Sequence, residues 1–245
     1  MRACLISLAL LCPLVLAADG EELAVGHFSH NPAGEAIPAG WKPYRIGQTK
    51  RGTHYLLSTV DGHTVLEAQA DNSASALAYP LHADPKHTPW LTFRWRTGRL
   101  IEKSDVTTRA GDDYPARVYV IFDYDATRLP FGDRMKLRMA RSIWGDQVPA
   151  AALCYIWERR QPVGSSQWSA YTNRLRMIVA ESGSARLGQW IVIERNVADD
   201  FRAAFGEEPP PISGIIVATD TDNTGETAHT WYGDISLRSR PLGAH

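Results

Sequence analysis

Alternation with a period of two residues, repeated in short runs, constrains this chain more than any other feature. Between Trp90 and Arg96, Leu91, Phe93 and Trp95 fall on one side, and Thr92, Arg94 and Arg96 on the other. From Arg117 to Asp123, Val118, Val120 and Phe122 oppose Arg117, Tyr119, Ile121 and Asp123. Successive side chains of a strand point to opposite faces, so such runs describe sheets with one face in a core and one towards solvent. Similar runs rich in Val, Ile, Tyr, Trp and Thr place strands near 54–60, 63–70, 74–81, 90–97, 116–124, 151–158, 174–181, 190–197, 213–219 and 229–238. Val60-Asp61-Gly62-His63 joins the first two as a tight hairpin, because Asp-Gly tolerates positive φ.

Helix is scarce. Asp133 to Ser142 predicts one basic helix, and Asp199 to Phe205 a short one with Asp199 or Asp200 as its N-cap. Many short strands without alternating βαβ units predict an all-β chain. The expected fold is an antiparallel β-sandwich of jelly-roll, galactose-binding-like type, carrying one or two short helices. No repeat, low-complexity segment or linker breaks the pattern, so a single sandwich domain is expected over 24–240.

The N-terminus reads as an address. A short positive start, Met1-Arg2-Ala3-Cys4, precedes the apolar run Leu5 to Leu16, and Val15-Leu16-Ala17 carries compact residues where a signal peptidase cuts. Residues 1–17 are expected to be a cleaved signal peptide, with Ala18 as the other cleavage point. The run is too short to span a bilayer comfortably, and no later apolar run reaches about 18 residues. A periplasmic or secreted protein without an integral membrane segment is therefore expected. Cys4 and Cys12 would leave with the signal, and Cys154, inside the apolar run Ala151 to Trp157, reads as a small buried hydrophobe. The 26 Lys+Arg nearly balance the 27 Asp+Glu, which argues against a nucleic-acid binder.

Four features hold more polar chemistry than a sandwich needs. Gly111-Asp112-Asp113-Tyr114-Pro115-Ala116-Arg117 leads into a strong strand; its carboxylates suit a hard cation or sugar hydroxyls, and equally suit an ordinary turn. Asp220-Thr221-Asp222-Asn223-Thr224-Gly225 alternates oxygen donors, yet Trp231 stands where a calcium hand needs Glu, and a plain hairpin loop fits too. Arg94, Arg96, Arg117, Tyr119, Asp123, Arg174, Arg176 and Glu194 fall on outward positions of their strands. If those strands adjoin, they form a basic and aromatic face suited to an anionic polymer; as a solvated face they form cross-strand ion pairs. Among the tryptophans, Trp95 is expected in the core, whereas Trp144 and Trp168, beside Gly, Ser and Pro, are candidates for exposed stacking. The sequence has no Gly-x-Ser-x-Gly elbow, Walker loop or His-Glu-x-x-His, and its scattered histidines offer no convincing zinc set.

Trp95-Arg96, the run 111–122, Cys154-Tyr155-Ile156-Trp157, Glu194-Arg195-Asn196-Val197, Ala204-Phe205-Gly206, 220–225 and Tyr232-Gly233-Asp234-Ile235 resemble, in order, the blocks of a bacterial secreted family, domain of unknown function 3047. The resemblance runs from about 25 to 238 and implies no activity. A looser one is to jelly-roll carbohydrate-binding modules, which open with a Phe and a downstream Trp, as at Phe28 and Trp41, and close with an Asp before Ile or Val. That resemblance implies a structural calcium with Asp234 as a ligand. The function expected is non-catalytic binding of a glycan or other anionic envelope polymer through Asp112, Asp113, Arg117, Tyr119, Asp220, Asp222 and Asn223. The alternative is a glycan hydrolase or lyase pairing Asp112 or Asp113 with Glu194 or Asp123.

Overall fold

The computed structural model describes residues 20–44, 51–144 and 148–244. The expected signal segment 1–17 and the Trp144 side chain lie outside what is described. Thirteen strands appear among the described residues: β1 Glu22–Gly26, β2 Lys42–Tyr44, β3 His54–Val60, β4 His63–Asp71, β5 Ala74–Ala83, β6 Trp90–Thr97, β7 Arg117–Phe122, β8 Ala152–Glu158, β9 Ser166–Ser169, β10 Thr172–Ser182, β11 Ile191–Asn196, β12 Ile212–Asp220 and β13 Thr227–Arg238. Two helices accompany them, α1 Phe131–Trp144 and α2 Val197–Phe205.

The strands form two sheets. One runs β11-β6-β13-β4-β3, with β1 also paired to β13; the other runs β2-β5-β12-β7-β8-β10-β9. The inward residues foreseen from the alternation, Leu91, Phe93 and Trp95 from β6 with Val118, Val120 and Phe122 from β7, meet in one core between the sheets. Trp95 and Trp157 face each other across it, with ring centroids 6.1 Å apart. Burying each such side chain contributes about 1.5–3 kcal/mol. The arrangement is a β-sandwich of jelly-roll type. Asp61 and Gly62 both have positive φ, as the hairpin between β3 and β4 requires.

Three local expectations are corrected. The sandwich contains a parallel pair, β8 with β10; β8 is buried along its whole length, so both its faces are covered and its apolar run shows no alternation. Helix α2 begins two residues earlier than expected and is capped by Asn196, whose side-chain oxygen accepts from the N–H groups of Ala198 and Asp199 at 3.1 and 3.2 Å. Asp200 instead receives Arg195 and the Tyr155 hydroxyl.

The single basic face does not form. Arg94 and Arg96 lie on the outer face of the six-stranded sheet, stacked over Trp190 and Trp231 at 4.8 and 5.4 Å. Arg117 and Tyr119 lie on the outer face of the other sheet. Arg174 and Arg176 share the side of β10 that carries Ile178 and Ala180, and stack on Phe205 and Trp168. A two-residue period tells which residues share a face of one strand, and nothing about which faces of different strands coincide. Trp168 is thereby half-buried between Arg176 and Phe205 rather than free for stacking.

Candidate functional site

The site grows from two rows of residues across the outer face of the seven-stranded sheet. Strand register aligns Ala78, Ile216, Tyr119, Cys154 and Met177 in one row. The next row holds Tyr44, Ala76, Ala218, Arg117, Ile156 and Val179. Ala76, Ile216 and Ala218 pack into an apolar patch on this face, bordered by the partly buried Tyr44, Ala78, Tyr119 and Ile121. Beside it, Val106 and Tyr114 from the 98–115 loop cover Cys154, Ile156, Met177 and Val179. Cys154 is fully buried there, and burial raises its thiol, so it is inert.

Arg117 sits between the two clusters and is 3% exposed. Ala218 opposite it gives the guanidinium room to lie along β12 towards Asp220, two residues on and on the same face. Arg117 Nε donates to Asp220 Oδ1 at 2.8 Å and its Nη2 lies 2.6 Å from Oδ2, a two-pronged pair. The remaining donors reach the Tyr119 hydroxyl at 3.1 Å and the Asp112 carbonyl, and the plane stacks 4.4 Å from the centre of the Tyr114 ring. From the opposite sheet, the Tyr232 hydroxyl accepts the Arg117 backbone N–H at 3.3 Å and bonds Thr219 at 2.9 Å.

The two acidic loops meet here. Tyr114 N–H donates to Asp220 Oδ1 at 3.2 Å, and Thr224 N–H to Asp113 Oδ2 at 2.7 Å. Asn223 Nδ2 donates to the Arg109 carbonyl and to the Tyr171 hydroxyl at 3.0 Å, while the Arg109 guanidinium lies over the Tyr171 ring at 5.1 Å. Glu226 takes the N–H groups of Glu102 and Lys103 at 3.1 and 2.9 Å, tying the 98–115 loop to the start of β13. Gly111 permits the sharp approach within that loop, because a Cβ there would stand 2.6 Å from the Asp105 nitrogen.

All seven expected binding residues, Asp112, Asp113, Arg117, Tyr119, Asp220, Asp222 and Asn223, therefore converge. They divide by exposure: Asp113, Arg117 and Asp220 are buried, Asp112, Tyr119 and Asp222 are half-buried, and Asn223 is exposed. Burial raises the carboxyls of Asp112 and Asp113, against the pull of Arg117. Burial raises Asp220 well above the usual carboxylate range as well, with the guanidinium on both its oxygens opposing the rise. Asp113, Asp220 and Asp222 each bring one carboxylate oxygen within 4.8 Å of the others, and Asp113 Oδ1 is buried with no hydrogen-bond partner among the described residues. These three are the residues a hard cation would use, although calcium takes about 6–8 oxygens and Arg117 already engages Asp220.

The other expected site residues lie elsewhere. Asp234, on β13, accepts from the Ser29 N–H at 2.9 Å and its hydroxyl at 2.5 Å, fastening the 28–30 turn to that strand. Glu194 is on β11 of the opposite sheet, and Asp123 follows the distant end of β7. Neither joins the acidic cluster. Sequence reasoning missed Tyr114, Thr224 and Tyr171 as site residues; Tyr114 was signalled by standing beside the paired aspartates, Thr224 by lying in the 220–225 loop, and Tyr171 by nothing in its local pattern.

The sequence matches the family model described as protein of unknown function (DUF3047) over residues 39–236. The chain belongs to the DUF3047 family. Among curated proteins, none matches this DUF3047 chain. Solved structures similar to it include a family 11 carbohydrate-binding module from Clostridium thermocellum in complex with a β-1,3-1,4-mixed-linked tetrasaccharide, at 12% identity and TM-score 0.42, covering 90% of this chain and 96% of the module. The xyloglucanase domain of NopAA, a type three effector from Sinorhizobium fredii, is similar at 8% identity and TM-score 0.43, covering 86% of this chain and 99% of that one. A cellulase derived from Cel12A of Rhodothermus marinus is similar at 9% identity and TM-score 0.42, covering 89% and 100%.

Proposed function

We propose that this DUF3047 protein binds a glycan non-catalytically on the outer face of its seven-stranded sheet. The observation that carries the reading is the division of the cluster. Buried Arg117, Asp220 and Asp113 lock two loops, while the carboxylates of Asp112 and Asp222 and the amide oxygen of Asn223 lie beside an apolar patch bordered by Tyr44 and Tyr119. Sugars combine hydroxyls with apolar C–H faces, and a few placed polar groups beside partly buried aromatic rings match that combination. Arg117 is a positioning residue here, since its donors are already engaged within the protein. The outer face of the other sheet is less suited. Its indoles are capped by Arg94 and Arg96, and Asp61 already takes Arg96 and the Trp190 N–H.

A hydrolase is the second reading, favoured by one feature: burial raises the Asp112 carboxyl, with Asp113 and Asp222 adding to the rise and Arg117 opposing it, as for a general acid. The N-terminal sequence supports export, through a signal peptide over 1–17 followed by a sandwich over 24–240, to the periplasm or outside the cell. No helix among the described residues is long and apolar enough to cross a membrane. Titration against a panel of neutral and acidic glycans, with reducing ends assayed in parallel, tests both readings. Binding without sugar release, weakened at least tenfold by Asp222→Ala with Asn223→Ala, is expected. Release of reducing ends that Asp112→Asn abolishes would transfer the site to the hydrolase, and unaltered binding by the double variant would remove it from the rim.

A further inference from the structure

Helix α1 leaves a stripe of large apolar side chains in water. Phe131, Met135 and Met139 are 72%, 42% and 64% exposed. They are spaced four residues apart, so they lie along one side of the helix. The helix is held to the body by its other side. Leu137 is buried against Leu129 and Ala150, Asp133 accepts from Asn173 at 3.5 Å, and Arg141 Nε donates to the Val148 carbonyl at 3.1 Å. Nothing in the glycan site uses this surface.

Cations flank the stripe. At 100° per residue, Arg134 and Arg138 border it on one side and Lys136 on the other. Lys136 reaches Asp133 at 3.4 Å, whereas Arg134, Arg138 and Arg141 have no ion-pair partner among the described residues. The three arginines line a depression between α1 and the 126–127 turn, beside Phe131 and Met135.

We propose that α1 docks on the surface of an anionic phospholipid membrane, its apolar stripe entering the headgroup boundary and Arg134, Arg138 and Lys136 meeting lipid phosphates. An apolar face with basic shoulders is the pattern of helices that lie in the interface plane. Three side chains along one helix offer far less than the roughly 800 Å² per partner of a specific protein interface. A second copy is disfavoured by charge, because a two-fold contact through α1 would set the same arginines against each other.

Co-sedimentation of the whole protein with phosphatidylcholine vesicles, with and without phosphatidylglycerol, tests this. Binding is expected only with the anionic lipid, and it weakens as salt rises. Arg134→Gln with Arg138→Gln should lower the partition coefficient about 25-fold, from roughly fivefold per cation removed near a charged surface. Phe131→Ser with Met139→Ser should lower it about tenfold or more. Both pairs are exposed, so melting temperature and glycan titrations should match those of the wild type. Failure to bind anionic vesicles, equal binding to neutral ones, or unchanged binding by either double variant would overturn the proposal. Self-association in sedimentation velocity that Phe131→Ser with Met139→Ser abolishes, without vesicle binding, would also overturn it by assigning the stripe to a second copy.

Discussion

Replacing Arg117 by Met asks whether the buried ion pair organises the two acidic loops. Methionine keeps an apolar stem between Ala218 and Tyr114 but removes both contacts to Asp220, the bond to the Tyr119 hydroxyl and the bond to the Asp112 carbonyl. Asp220, 3% exposed, is then left as an uncompensated buried carboxylate. Breaking a buried pair from one side costs about 3–5 kcal/mol. For a chain of this size that corresponds to a melting-temperature drop of roughly 6–20 °C. The sign of the pH dependence follows from Asp220. Without the guanidinium its folded-state pKa rises further above the unfolded value of about 3.9. Its protonated form then carries stability that is fully present below about pH 4 and lost as pH rises through the folded pKa. The Arg117→Met deficit, measured by scanning calorimetry, should therefore be largest at pH 7 and shrink towards pH 4. Adding Asp220→Asn removes the orphaned charge and should recover at least half of the loss at pH 7. A deficit below about 1 kcal/mol, or one insensitive to pH and to Asp220→Asn, would refute the reasoning.

Asp113→Asn should gain stability relative to wild type as pH rises from about 4 to neutrality. The raised Asp113 carboxyl stabilises the native state only while protonated; a melting-temperature difference constant across that range would contradict this. Gly111→Ala should cost about 1–3 kcal/mol, because its Cβ would lie 2.6 Å from the Asp105 nitrogen and 2.7 Å from the Asp105 Cβ. An unchanged melting temperature would show that the 98–115 loop yields at no cost.

The sandwich was legible because β6 alternates without interruption and β7 does so from Val118 in its burial, and the hairpin at Asp61-Gly62 because few dipeptides accept two positive φ values. Strand β8 was legible as apolar but not as parallel to β10, since a chain covered on both faces carries no period. The seven residues of the cluster were readable as polar excess in two loops. Their meeting was not, because it depends on β7 and β12 being neighbours in register, which brings Ala218 opposite Arg117 and Asp220 beside its guanidinium. The same limit misplaced the other arginines. Arg94 and Arg117 occupy outward positions in sequences of equal clarity, yet the sheets carrying them stand back to back with the core between them.

The most direct test of the glycan reading is amide chemical-shift mapping during titration with the tightest ligand of a glycan panel. Saturable shifts should concentrate at Tyr119, Tyr171, Asp222 and Asn223, with indole signals of Trp190 and Trp231 unmoved. Shifts centred on Arg94, Arg96, Trp190 and Trp231, or no saturable shift with any glycan of the panel, would contradict the account.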